Sequence, residues 1–129
     1  MTRQVIASVQ APKAIGPYSQ AVSVTAPAKL VFLSGQIGLD PTTGELVQGD
    51  AAAQAERVLK NLEGVLASAG LTFESVVRTT LFLTDLSDFA KVNEVYARFF
   101  GAEPPARATV QVSALPRGAK LEIDAIAAG

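Results

Sequence analysis

Arg107 and Glu122 are the two side chains whose types and setting are best suited to chemistry in this sequence. Each sits in a run of alternating character. Arg107, Thr109, Gln111 and Ser113 alternate with Ala108, Val110 and Val112, and Lys120, Glu122 and Asp124 alternate with Leu121, Ile123 and Ala125. Such alternation marks half-buried strands, and Pro116 and Gly118 mark a turn between them, so residues 107–113 and 119–127 read as a hairpin. An even-numbered turn, such as 114–117, pairs Ser113 with Gly118, Thr109 with Glu122 and Arg107 with Asp124, and sets Arg107 and Glu122 on one face. An odd-numbered turn sets them on opposite faces.

A guanidinium and a carboxylate a few ångströms apart could share one task. Arginine grips a substrate carboxylate through two parallel N–H bonds, while the acidic side chain positions or deprotonates a water. The plainer alternative is a solvated strand face whose ion pair is worth under about 1 kcal/mol. Ser34-Gly35-Gln36 could supply a hydroxyl and a backbone N–H to an oxyanion or a water, although Ser-Gly is also ordinary turn chemistry. Tyr18, after Gly16-Pro17, could cover a pocket, or be a half-buried tyrosine with a wet hydroxyl. Asn93 falls on a helix and reads there as a surface residue.

Composition narrows the chemistry further. The 129 residues contain no cysteine and no histidine, so a disulfide framework, a thiolate nucleophile, an imidazole base and Cys- or His-ligated metals are excluded. With 11 basic and 12 acidic residues the formal net charge is −1, and the scattered cations argue against nucleic acid as a partner. The start has no unbroken apolar segment of signal-peptide type, and the strongly apolar run Leu30 to Leu33 is far short of a bilayer span. One soluble, cytoplasmic domain over residues 1–129 is expected.

The elements that must position these residues follow from periodicity. Strands are expected at residues 5–7, 19–25, 29–34 and 75–83, with a small hairpin at 37–39 and 45–47 around Asp40-Pro41-Thr42-Thr43-Gly44. Ala52, Ala55, Leu59, Leu62, Val65, Leu66 and Ala69 recur at helical spacing, with Asp50 as cap and Gly70 as the left-handed residue past the end. In the 75–83 strand Val77 and Leu81 fall on one face, Val76 and Phe82 on the other. A second helix carries Phe89, Val92, Val95, Tyr96, Phe99 and Phe100 as its buried stripe, capped by Asp85 or Ser87 and ended by Gly101. The result is an α+β domain. Its two helices cover only one face of the sheet, and because Leu30/Phe32 and Val31/Leu33 are both apolar pairs, the other face should pack against another copy of the chain.

Several segments carry a more specific signal: Ala14-Ile15-Gly16-Pro17-Tyr18-Ser19-Gln20-Ala21, Ser34-Gly35-Gln36-Ile37, Asp85-Leu86-Ser87-Asp88-Phe89 with Val92-Asn93, and Pro105-Ala106-Arg107-Ala108-Thr109-Val110 followed by Ala114-Leu115-Pro116 and Leu121-Glu122-Ile123. Along nearly its whole length the chain resembles the RidA/YjgF/UK114 family of reactive-intermediate deaminases. The resemblance implies a chorismate-mutase-like α+β domain with a mixed sheet, assembled as a homotrimer with a ligand cleft at each subunit interface. It implies hydrolysis of enamine/imine intermediates, 2-aminoacrylate/2-iminopropanoate and 2-iminobutanoate, to 2-oxo acids and ammonia, with no metal or cofactor. Arg107 would hold the substrate carboxylate and Glu122 orient the water; Tyr18, Ser34, Gly35, Asn93 and Thr109 would line the cleft. Several family members carry cysteine at the position of Thr109, so thiol-based regulation is excluded here. Two alternatives remain open at this level: a non-enzymatic trimeric binder of small carboxylates, which needs Arg107 but not Glu122, and RNA cleavage or translation inhibition, against which the charge balance stands.

Overall fold

The computed structural model describes residues 1–129. Helix α1 (Ala51–Ser68) begins where Asp50 accepts a hydrogen bond from the Ala53 N–H at 3.1 Å. It ends at Ala69, with Gly70 left-handed at φ 73° and the Gly70 and Leu71 N–H groups bonded back to Ala67 and Leu66 carbonyls at 2.9 Å each. Both signals expected from sequence are therefore used, because an unsatisfied helix end would strand backbone donors and acceptors. The second helix starts differently. Asp85 caps a short 3-10 turn, Leu86–Asp88, and α2 (Phe89–Phe99) follows without a side-chain cap of its own.

The strands are β1 (Thr2–Ile6), β2 (Ala21–Thr25), β3 (Leu30–Gln36), β4 (Val76–Leu83), β5 (Ala106–Gln111) and β6 (Leu121–Ala128). β1 and β2 form an antiparallel pair, and the other four make a mixed sheet in the order β3-β6-β4-β5. The small turn after β3 appears as a single bridge, Leu39 to Leu46.

The hairpin expected between the last two strands does not form. β4 lies between them, antiparallel to β6 and parallel to β5. Strand β4, helix α2 and β5 make a crossover unit, which brings β5 back parallel at the outer edge of β4. β6 must then travel to the other side of β4, where it fills the slot beside β3. Register follows: Arg107 is level with Thr79 and Glu122 with Phe82. Thr79 and Phe82 are an odd number of positions apart, so Arg107 and Glu122 leave opposite faces of the sheet. The shared face considered from the hairpin is thereby corrected.

One face is packed. Leu81, Leu83, Leu121, Ile123, Ala125 and Leu33 meet Val58, Leu59, Leu62 and Leu66 of α1 and Val92, Val95 and Tyr96 of α2 in one buried cluster. Val76 joins this face together with Leu81, contrary to strict alternation, because β4 slips register against β6 between Val76 and Arg78. The bulge resets the side-chain parity.

The opposite face is open. Phe32 is 72% exposed, Leu30 52% and Val110 41%. Isolated apolar residues on a surface are common, but three large ones on one sheet face match the uncovered surface expected from sequence. No helix of the chain is long and apolar enough to cross a membrane.

Candidate functional site

The sequence-predicted residues fall into two groups on the two sides of the sheet. The first surrounds Arg107, which points from edge strand β5 toward the helix-covered face. Its Nη1 donates to Asn93 Oδ1 at 2.6 Å. Its guanidinium carbon stands 5.5, 5.3 and 5.0 Å from the ring centroids of Tyr18, Phe89 and Tyr96. Phe89, Asn93 and Tyr96 come to one place because residues four and seven apart share a helix face, and that face of α2 overhangs the start of β5.

Tyr18 arrives from the other side. The chain leaves Gly16, whose φ of 133° is open to glycine and strained for other residues, and Ser19 then bridges to Ala106 beside β5. The Ser19 hydroxyl donates to the Pro104 carbonyl at 2.5 Å, and the Ser19 N–H to Pro105 at 3.1 Å. A Cβ on Gly16 would lie 3.7 Å from Arg107 Nη2, so the backbone approaches the guanidinium closely here. On its other side Tyr18 borders a cavity of about 630 Å³, walled in part by Val5, Ile6, Ala14 and Pro104.

The electrostatics of this group are unusual for a partly buried cation. No Asp or Glu pairs with Arg107; the ion pairs of the chain join Lys60 to Glu56 and Lys91 to Asp50 and Asp88. Burial draws the guanidinium below its ordinary pKa, with the Tyr96 and Tyr18 hydroxyls acting in the opposite sense. Arginine stays charged throughout the physiological range regardless, so the site holds a permanent positive charge with no anion beside it. Thr109, two residues along the same strand face, has its Oγ1 buried without a hydrogen-bond partner.

Tyr96 is the anchor beneath. It is fully buried, and its hydroxyl shares a 2.7 Å hydrogen bond with Thr79 Oγ1 on the adjacent strand. Burial pushes its pKa up to about 12 from 10.0. The raised value means the folded state resists ionising a phenol that the unfolded chain ionises readily. Stability from this source is therefore complete below pH 10 and lost as pH rises toward 12. Urea unfolding is expected to show a steeper fall over that window in the wild type than in Tyr96→Phe; parallel curves would contradict it.

The second group lies on the open face. Ser34 and Gly35 occupy a bulge in β3, between the Leu33–Ala125 and Gln36–Ile123 pairs, so this dipeptide is an irregular strand segment rather than the turn considered from sequence. Glu122 lies across it: a Cβ on Gly35 would come within 2.5 Å of Glu122 Oε2 and 2.8 Å of its Cδ. Glycine leaves the space the carboxylate occupies, and Ser34, the other residue of the bulge, is exposed.

Tyr18, Asn93, Thr109 and Arg107 are thus brought together, as are Ser34, Gly35 and Glu122, but the two sets are separated by the sheet. Sequence reasoning placed Phe89 and Tyr96 only in the buried stripe of α2 and did not connect Thr79 with the site. Their spacing around Asn93 was the available signal. Reading it requires knowing which strand α2 overhangs.

Comparison with known proteins bears on the whole chain. A family model described as Endoribonuclease L-PSP matches residues 8–129. Protein DfrA of Myxococcus xanthus is 71% identical over 98% of this chain and 96% of its own. The mouse 2-iminobutanoate/2-iminopropanoate deaminase is 51% identical over 97% of this chain and 90% of its own. Among solved structures, that of E. coli TdcF with bound serine superposes with a TM-score of 0.75 at 44% identity, covering 98% of each chain.

Proposed function

The chain belongs to the RidA/YjgF/UK114 family, and from that premise we propose that it is a 2-iminobutanoate/2-iminopropanoate deaminase whose site is completed by a second copy of itself. Arg107 carries the proposal: a partly buried cation with no carboxylate partner is a receptor waiting for an anion. The substrates are small 2-imino acids, each with one carboxylate to offer. The mouse relative named for this activity, and the E. coli relative named for bound serine, both concern small carboxylates of this kind.

Hydrolysis also needs a water and a group to take its proton. Glu122 is the carboxylate in the family's position, yet within one chain it faces away from Arg107. A partner that covers the exposed Leu30, Phe32 and Val110 with its own site edge brings Glu122, Ser34 and Gly35 of one copy to Arg107, Tyr18, Asn93 and Thr109 of another. A cyclic homotrimer does this at every interface, with no open edge left.

The chemistry is then short. The protonated imine is already electrophilic, so alignment supplies most of what is needed. Water adds to the imine carbon and passes a proton to Glu122. The resulting carbinolamine takes that proton back on nitrogen, the C–N bond breaks, and the hydroxyl closes to the ketone as ammonia and its proton depart. Enamines such as 2-aminoacrylate enter by tautomerising to the imine.

The family description names a ribonuclease. Holding a polyanion would call for a basic surface, whereas this chain has net charge −1 and a single sheltered cation at the site.

The test couples the purified protein to a threonine dehydratase and traps free imine with semicarbazide. Added wild type is expected to lower the trapped fraction. An unchanged fraction from a folded oligomer would overturn hydrolysis and leave carboxylate binding as the reading.

A further inference from the structure

We propose that Phe89 and Tyr96, with Tyr18, form an electrically neutral cage of ring faces that positions the Arg107 guanidinium and keeps its charge unspent for a monocarboxylate ligand. The inference rests on the reading of Arg107 as the anion receptor and adds positioning residues to it. A buried or half-buried arginine is ordinarily steadied by an acidic side chain, which would cancel the charge a substrate needs. Here the three ring centroids lie 5.0 to 5.5 Å from the guanidinium carbon, within the range where a ring face attracts a cation. The single polar restraint, Asn93 Oδ1, is also uncharged and accepts from Nη1 alone. Nη2 and Nε keep their donors on one edge, the fork that a carboxylate fits.

The cage is itself held. Tyr96 cannot swing because its hydroxyl is tied to Thr79 in the core, and its ring packs at 4.4 Å from that of Phe100. Phe89 opens α2 directly after the capped 3-10 turn, so its place is set by the helix start. Both rings come from one helix face and bear on the guanidinium from the helix side, while Tyr18 comes from the segment before β2.

Replacing Phe89 separates ring, shape and charge. The protein is titrated with 2-oxobutanoate by calorimetry, a readout that does not depend on imine turnover. Phe89→Leu is expected to weaken binding about fivefold through loss of one ring face. Phe89→Gln should resemble Phe89→Leu, whereas Phe89→Glu, of the same shape as Gln, should weaken binding at least about a hundredfold by placing a carboxylate some 5 Å from the guanidinium. The affinity gap between the Glu and Gln variants should narrow only as pH falls below about 4, because the guanidinium beside it holds that carboxylate below its ordinary range. A packing defect would not respond to pH in this way.

Equal affinities for the Glu and Gln variants at neutral pH overturn the neutral cage. So does wild-type affinity in Phe89→Leu. A wild type that binds 2-oxobutanoate but leaves imine unhydrolysed sinks only the deaminase reading; one that binds no 2-oxo acid overturns the receptor and the cage together. Phe89 is half-buried at a helix start, and unfolding curves of the variants identify any loss that comes from instability instead.

Discussion

Arg107→Ala is expected to reduce kcat/KM for imine hydrolysis by about a thousandfold or more, with the fold and assembly retained. A charge-assisted, two-point grip on a carboxylate in a partly desolvated site is worth roughly 2–5 kcal/mol when one partner is removed, and each 1.4 kcal/mol is about a factor of ten. Misplacement of the imine carbon relative to the water adds to that loss. The fold should survive because Arg107 is on edge strand β5 and its polar contact is a single bond to Asn93, outside the buried cluster. Arg107→Lys should recover little, since an ammonium has neither the planar fork nor the ring-stacking surface that the cage accepts. Steady-state kinetics and sedimentation on the same preparations decide it. An undiminished rate in Arg107→Ala would remove Arg107 from the mechanism, and one in Arg107→Lys would remove the requirement for the planar fork.

The second expectation concerns Glu122. Glu122→Gln keeps shape and loses the proton acceptor, so kcat should fall by about two to four orders of magnitude while KM changes little. Because Arg107 and Glu122 leave opposite faces of the same sheet, a more telling experiment mixes the two inactive variants. If each site takes Arg107 from one copy and Glu122 from its neighbour, random reassembly of equal amounts in a cyclic oligomer gives about a quarter of interfaces with both wild-type groups. Activity near that fraction of wild type is expected after co-refolding. Mixing without exchange of subunits should give none. If co-refolded mixtures remain dead although subunits have demonstrably exchanged, the composite site is wrong.

Much of the architecture was legible in the residues themselves. Asp50 and Gly70 mark the two ends of α1 to the residue, because caps answer a local need for hydrogen bonds at the helix ends. Alternation located β4, β5 and β6 within two residues of their ends. The pairing of apolar residues on both faces of β3 called for a covering partner, and the exposed Leu30 and Phe32 display that need. Whole-chain resemblance supplied the candidate residues, all of which lie in one of two clusters.

Other features were out of reach. The start of α2 was blurred because the Asp85 cap serves a 3-10 turn, with the α-helix beginning only at Phe89. The bulges near Val77 and at Ser34-Gly35 each shift the facing of a strand, and nothing in a period of two announces them. Phe89 and Tyr96 looked like core residues of an amphipathic helix; Tyr96 is one, Phe89 packs half-buried against the core, and that both also face a cation depends on what lies beneath the helix.

By itself the sequence determined the local elements, the identity of the chemical groups and the exclusion of thiol and imidazole chemistry, since these depend on residue type and near neighbours. Tertiary structure alone decided where Arg107 and Glu122 point. The insertion of β4 between β5 and β6 follows from the crossover through α2 and the packing of the whole sheet on two helices, a non-local choice that no turn parity could reveal. That choice puts cation and carboxylate on opposite faces, which is why the proposed site draws its two halves from two copies.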